Sequence, residues 1–581
     1  GQNNVAMGYE ALAGFTTGHS NAAFGMQSLR VVTTGLSNAA LGTYSLYDLT
    51  TGAQNTALGT SAGENLQGGH NNVLLGYRAG YIGTGFSSAI GIGYRALYNN
   101  TAEGNIAIGY DAGFEITSGA SNVAIGYEAL KTTTTGLRNI AIGYEAMHDT
   151  DAGSSSSDSD NNIFIGYTAG GGAWADAKSE NNVAIGSNVM QGVLNGANNN
   201  TALGYFALAS ITSGDTNVGI GAEAGGTLTT GIKNVMIGYQ AGNLVNHANA
   251  DDNVLIGFQA GKGGTGEMKR CIVIGSQAMD ATTDQAQLGT IAIGHAALSS
   301  LTTGTGNTAL GYSAGGGITT SSQNTFLGYA SGDTNIGDHS VAVGYHALKG
   351  AGSNLNSYNT AIGSRAMDTV TTGGSNVAVG FDSLGAITTG ANNVAMGYQS
   401  LYSVTTQDGN VGLGYKAGYS NTAGQAILIG REAGYNNAYN QTIAIGAYAL
   451  HSQTSGESNI GIGLSAGRYN ATGGGNVYIG VDSGKGVSGN NNSRNTGLGF
   501  NALEGITTGN DNTGLGYQTL HTITSAVGNT VIGYAAGDSI TTGGYNALVG
   551  YEAGGALVGG GTNIAIGYQP LYLGTANSNA I

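Results

Sequence analysis

The chain has 581 residues, a formal net charge of −16, 107 glycines, one proline and only 9% charged residues, whereas an average globular domain is about a quarter charged. Glycine does not fall at every third position, which excludes collagen. A hydrophobic content of 40% with so little charge excludes an open, solvated chain.

No run of lysine or arginine is available to track a phosphate backbone, so nucleic acid is not an expected partner. No stretch of eighteen apolar residues occurs, so this segment is not expected to insert in a membrane. The N-terminal string GQNNVAMGYEAL has neither the basic nor the apolar part of a signal peptide. Export by signals outside this segment, or release without them, is the expectation. Cys271 is the single cysteine, so no intramolecular disulfide framework can form.

Taken in chain order, one motif returns throughout. NNVAMGYEAL (3–12), SNAAFGMQSL (20–29), NVAIGYEAL (122–130), NVAMGYQSL (393–401) and NIAIGYQPL (563–571) all read as Asn, an aliphatic, Ala, an aliphatic, Gly, Tyr, any residue, Ala, Leu. There are 33 copies. Their glycines, here called pivots, run from Gly8, Gly25 and Gly42 to Gly567, with a spacing of 17 in 20 of the 32 intervals. Longer intervals carry their extra residues between the Ala-Leu element and the next asparagine, so insertions map to one edge of the repeat.

Seventeen residues are too few for two helices and their turns, and the β-branched runs favour strands. The expected fold is all-β: a parallel β-solenoid of about 33 coils with a period of 17 residues, one continuous array over residues 1–581. Each position then has a physical role. Asparagine precedes the strand in 27 of 33 copies; stacked amides form a hydrogen-bonded ladder along the axis, as in cross-β structures. Cys271 stands in that slot and reads as a small packed residue.

The strand Val123-Ala124-Ile125 is apolar on both faces. A strand apolar on both faces is buried on both, so one face fills the coil and the other calls for a cover, most simply another subunit. The pivot glycine answers a positive φ or a close backbone approach. Tyrosine follows the pivot in 18 copies, which reads as an aromatic ladder, with an exposed carbohydrate-binding stripe as the rival. Three residues past the pivot 30 copies carry Ala or Ser, and the next residue is always Leu, Met or Gly, which reads as a size constraint. Thr-Thr-Gly recurs, for example at 16–18, 134–136 and 388–390, as a turn. Ice binding is disfavoured because adjacent threonines in a strand cannot both face one side.

Chemistry is not expected from this pattern. His19, His70, His148, His247, His295, His339, His346, His451 and His521 fall in unrelated slots with no metal-ligand spacing. The acidic stretch Asp149 to Asp160 lacks EF-hand spacing and reads as a solvated loop rather than a calcium site. No catalytic, cofactor-binding or metal-binding residue is assigned, no cofactor is expected, and the chain is not expected to be an enzyme.

NNVAMG (3–8), NVAIG (122–126), NIAIG (139–143) and NVAIG (182–186) resemble the Asn-Ser-Val-Ala-Ile-Gly signature of YadA-like head repeats in trimeric autotransporter adhesins, over essentially the whole chain. The resemblance implies a left-handed parallel β-roll, a homotrimeric rod and display on a bacterial surface, where such heads bind host matrix or other cells. Those heads use a shorter coil; the longer lap with Tyr-x-Ala-Leu and Thr-Thr-Gly also resembles phage-type tail-fibre repeats. The functional expectation is an extracellular structural fibre or adhesin shaft, with a phage or contractile-injection tail fibre, or a glycan-binding or glycan-degrading spike, as alternatives. The expected partners are the chain itself, as a homotrimer or filament, and a host or cell-surface protein or glycan. Because the sequence starts and stops within the repeat, it reads as the ordered part of a larger molecule.

Overall fold

Strands of three residues, with two of only two residues, and tight turns make up the computed structural model, which describes residues 1–150, 158–264, 266–334, 336–351 and 356–572. The chain divides into two compact units, Gly1–Gly306 and Asn307–Ile581. Among the described residues no α-helix occurs. Each unit is a parallel β-solenoid. The first stacks 17 strands of its main sheet from Val5–Met7 to Ile291–Ile293, and the second stacks 16 from Thr308–Leu310 to Ile564–Ile566.

Register never slips within the stacks: Val5 lies on Ala22, Val123 on Ile140, and Thr513 on Thr530. Repeat position and spatial position therefore coincide, which is why identical side chains stack.

From the second strand onward the central residue points inward, and in most laps it is small. Ala124, Ala141 and Ala378 are fully buried, while their larger neighbours lie outward and half-exposed. The expected covering of both faces is thus met on the inner face only. Three further columns fill the interior: the residue three past the pivot (Ala129), the one after it (Leu130, Met147, Leu384), and an aliphatic seven past the pivot (Leu49, Ile116, Ile211, Ile387), all fully buried or nearly so.

The backbone turns by left-handed residues. In one lap Ser121, Glu128 and Leu130 have φ of 61°, 53° and 51°, and Gly126 has φ of 136°. A non-glycine residue in that region costs about 1–2 kcal/mol, and β-branched residues tolerate it least. The slot four past the pivot is therefore restricted by conformation as well as size: Gly takes it freely, and buried Leu or Met offsets the strain by filling the core.

Volume is shared between that slot and the strand centre. Leu74, Phe164, Leu255, Phe326, Leu428, Tyr478 and Leu548 each stand two residues before a pivot, and in those same laps the slot four past it is Gly80, Gly170, Gly261, Gly332, Gly434, Gly484 or Gly554. A Cβ on Gly170 would lie 2.5 Å from the Phe164 ring, and one on Gly484 2.2 Å from Tyr478. Where the strand centre is Ala or Gly, Leu or Met often returns: Ala124 with Leu130, Ala184 with Met190, Gly514 with Leu520. Interiors are close-packed, so one large side chain per lap satisfies both positions.

The pivot glycines meet both expected conditions. Gly126 combines its positive φ with a Cβ position 2.2 Å from the carbonyl oxygen of Gly143 in the next lap.

Candidate functional site

Four features of the surface and ladders bear on function. The first is the outer strand face. Leu41 and Leu58 are 52% and 50% exposed, and Met396 and Leu498 are 46% and 40% exposed. Because register is constant, these side chains form a continuous aliphatic stripe in each unit. Where Ala22 and Ala39 replace larger residues, an apolar depression of about 240 Å³ opens between Phe24, Leu41 and Leu58.

The second is the amide ladder. The Asn122 Nδ2 donates to Asn105 Oδ1 (3.2 Å) and to the carbonyl of Gly136 (2.8 Å), while its Oδ1 accepts the Asn139 backbone N–H (2.8 Å). The same set recurs at Asn529 and Asn546. These amides are buried, so their groups serve the fold rather than a ligand. In the slot that Cys271 occupies, its N–H reaches Asn253 Oδ1 (2.9 Å) and its thiol donates to the Gln287 carbonyl (3.3 Å). Burial pushes the thiol pKa up, which makes it a poor nucleophile.

The third feature is aromatic. Tyr77, Tyr94, Tyr110, Tyr127, Tyr144 and Tyr167 stack with centroids 4.9–5.3 Å apart, and Phe500, Tyr517, Tyr534, Tyr551 and Tyr568 do the same in the second unit. Rings piled face to face cover one another's faces and present edges and hydroxyls. A sugar stacks on an open face, so the interior of such a column serves register. A second column runs five residues past the pivots: Tyr81, Tyr98 and Phe114, then Tyr402, Tyr419, Tyr435 and His451. Nothing in the single motif announced it. Between the columns sit cations: Arg95 lies 5.1 Å from the Tyr94 centroid and 4.6 Å from that of Phe114, and Lys416 lies 5.5 and 5.1 Å from those of Tyr415 and Tyr419.

The fourth is a set of histidine–carboxylate pairs. His148, His451 and His521 share the slot five past the pivot, so the histidines are less scattered than expected. Their Nε2 atoms lie 2.8 Å from Glu128, 3.2 Å from Glu432 and 2.9 Å from Glu504. Burial, working against the bond to Glu432, lowers the His451 pKa. Burial would raise Glu128, yet donors from Lys131, His148 and Tyr127 outweigh it and hold that carboxyl below its usual range. Elsewhere His339 stacks on Tyr358 and His346 on Tyr345.

Of the acidic stretch 149–160, residues 151–157 lie outside the described residues. At its edge Asp160 accepts the Leu137 N–H (2.7 Å) and Asp158 faces Lys178 (3.8 Å). Among the described residues no group of three or more His, Cys, Asp or Glu is placed to hold a metal ion, and no helix is long and apolar enough to cross a membrane. In several threonine turns the first hydroxyl donates to a carbonyl of the next lap, as Thr16 to that of Thr33 (2.8 Å) and Thr388 to that of Thr405 (3.0 Å), which ties the turns to the stack.

No family model matches the chain, and no curated protein matches it.

Proposed function

We propose that the chain is a non-enzymatic extracellular fibre, the shaft of a surface adhesin, which assembles as a homotrimer through its outer strand face. The observation that carries this reading is the stripe of half-exposed Val, Ile, Leu and Met side chains that repeats lap after lap in each unit. Running through 17 stacked strands in one unit and 16 in the other, the stripe is a contiguous apolar surface of the kind that marks an interaction site. Such a surface is stable in water when another copy covers it. A tail-fibre shaft would use the face in the same way; flanking sequence, an anchoring barrel against a chaperone domain, separates the two.

Sedimentation equilibrium tests the assembly. The expected mass is three times the 57.8 kDa chain. Ile125→Glu combined with Ile142→Glu, both outward, should weaken the assembly while leaving the far-UV circular dichroism unchanged. A soluble wild-type monomer at micromolar concentration would contradict the proposal.

A further inference from the structure

The slot two past the pivot, which elsewhere carries Arg78, Arg95 or Lys416, holds a phenylalanine once, at Phe206. In the same stretch the second aromatic column is missing: its slots are Gln191, Ala209, Gly226 and Asn243. The result is a cavity of about 700 Å³ walled by Tyr205, Phe206, Glu223 and Asn243 and floored by Ala209 and Gly226. Tyr205 is 52% exposed and packs edge-on against Phe206 at 4.4 Å. Among the described residues no other ring and no cation lies over Phe206.

Other laps show that this groove can hold a cation against its rings. Tyr448 occupies the same slot as Phe206 in another lap, and the guanidiniums of Arg431 and Arg468 lie 4.6 and 4.5 Å from its centroid. Arg78 sits between Tyr77 and Tyr81 at 5.2 and 4.9 Å. In these laps the chain itself supplies the cation. Around Phe206 it supplies none: residues 179–232 contain no Lys or Arg, but do contain Glu180, Asp215 and Glu223. Glu223 receives Gln240 (2.7 Å) and Asn243 (3.2 Å) through a single oxygen, Oε2, which leaves Oε1 for a further donor.

From the open notch, the aromatic wall and the carboxylate without a cationic partner we infer that this notch binds an arginine side chain of a partner peptide. The guanidinium stacks on Phe206 as Arg468 stacks on Tyr448, and donates to Glu223 Oε1. The amides of Gln191 and Asn243 border the place where the peptide backbone runs. The inference stands apart from the trimer and fails or holds independently of it.

The test is titration of the full chain with the tripeptide acetyl-Gly-Arg-Gly-amide, followed by calorimetry or by tyrosine-ring NMR. The same peptide with citrulline, neutral and of the same shape, and maltotetraose serve as comparisons. Saturable binding of the arginine peptide is expected, at least tenfold tighter than the citrulline peptide and weaker at high salt. Glu223→Gln and Phe206→Ala should each weaken it at least fivefold, and Glu457→Gln should not. Equal binding of the two peptides by the wild-type chain overturns the inference, as does binding of maltotetraose alone or retention of binding in Glu223→Gln. The citrulline comparison needs no variant, so it decides the matter even where Phe206→Ala fails to fold.

Discussion

Two stretches of the first unit are built on the same motif but hold their register differently. In the laps around residues 105–147 the spacing is even, and Asn105, Asn122 and Asn139 bind one another in an unbroken buried chain. In the laps around residues 268–294 the asparagine slots hold Cys271 and Thr290, and extra residues precede them. There the backbone takes over: Met268–Lys269 pairs with Gln287–Leu288 in a short second parallel sheet. The substitution is incomplete, since the hydroxyls of Thr282 and Thr290 and the Gln287 Oε1 lie buried without a protein partner. The laps around 105–147 are thus held by side-chain amides, and those around 268–294 by added main-chain pairing; insertion alone does not end the ladder, since Asn139, Asn162 and Asn182 stay linked across longer intervals.

What both stretches share should break them equally. Gly126 and Gly275 have φ of 136° and 144°, and a Cβ on either would fall 2.2 or 2.3 Å from the next pivot's carbonyl. Gly126→Val and Gly275→Val are each expected to cost more than about 4 kcal/mol, the range of a strained backbone joined to a steric clash. Native-state hydrogen exchange of peptides spanning each lap measures this; protection retained in either lap would show that the close stacking is not required.

The ladder should separate the two. Asn122→Asp keeps the shape but places an oxygen opposite Asn105 Oδ1 and the Gly136 carbonyl, replacing two donated hydrogen bonds with two repulsions. About 3 kcal/mol is expected from such a buried mismatch. Thr290→Asp, in a lap without the amide chain, should cost visibly less by the same exchange measurement. Equal losses would mean that the amides do not set the register.

The period, the amide slot and the pivot were legible in the sequence because a stacked fold demands the same residue at the same place, and identity is visible in a string. The orientation of Val123-Ala124-Ile125 was not, because a strand apolar on both sides carries no sign of which side is inward; only the narrowness of the coil decides that Ala fits inside. The slot of Leu130 was read as a matter of size when its left-handed φ is half the reason. The third wall, at Leu49, Ile116 and Ile211, went unread although an aliphatic recurs there. The Phe206 notch is defined by rings that are missing, and an absence shows only once the second aromatic column is known.

Core sharing gives a finer cut within the regular laps. Ala124→Leu adds three methylene-sized groups opposite Leu130 and should destabilise by roughly 1–3 kcal/mol through overpacking. Adding Leu130→Gly reproduces the arrangement of Leu74 with Gly80 and should recover at least half of that loss, although Leu130→Gly alone opens a cavity and is itself destabilising. Urea unfolding monitored by circular dichroism compares the three variants. Additive losses in the double variant would show that the two slots do not share one volume.

The smallest effect is also the one of opposite sign. Cys271→Asn puts the missing amide back into the irregular stretch. Its backbone N–H already reaches Asn253 Oδ1, and its thiol already points at the Gln287 carbonyl, the two acceptors that an asparagine Nδ2 uses in the regular laps. A weak S–H donor gives way to an N–H donor without moving the chain, so a gain of about 0.5–1 kcal/mol is expected, the net worth of a typical hydrogen bond. Thr290 in the next lap offers a backbone N–H but no side-chain amide to extend the ladder, which keeps the gain small. A rise of the thermal midpoint in Cys271→Asn, absent in Cys271→Ala, would show that the ladder rather than the loss of sulfur is responsible; a fall in both would mean that the second sheet has already replaced the ladder as the device that sets register in these laps.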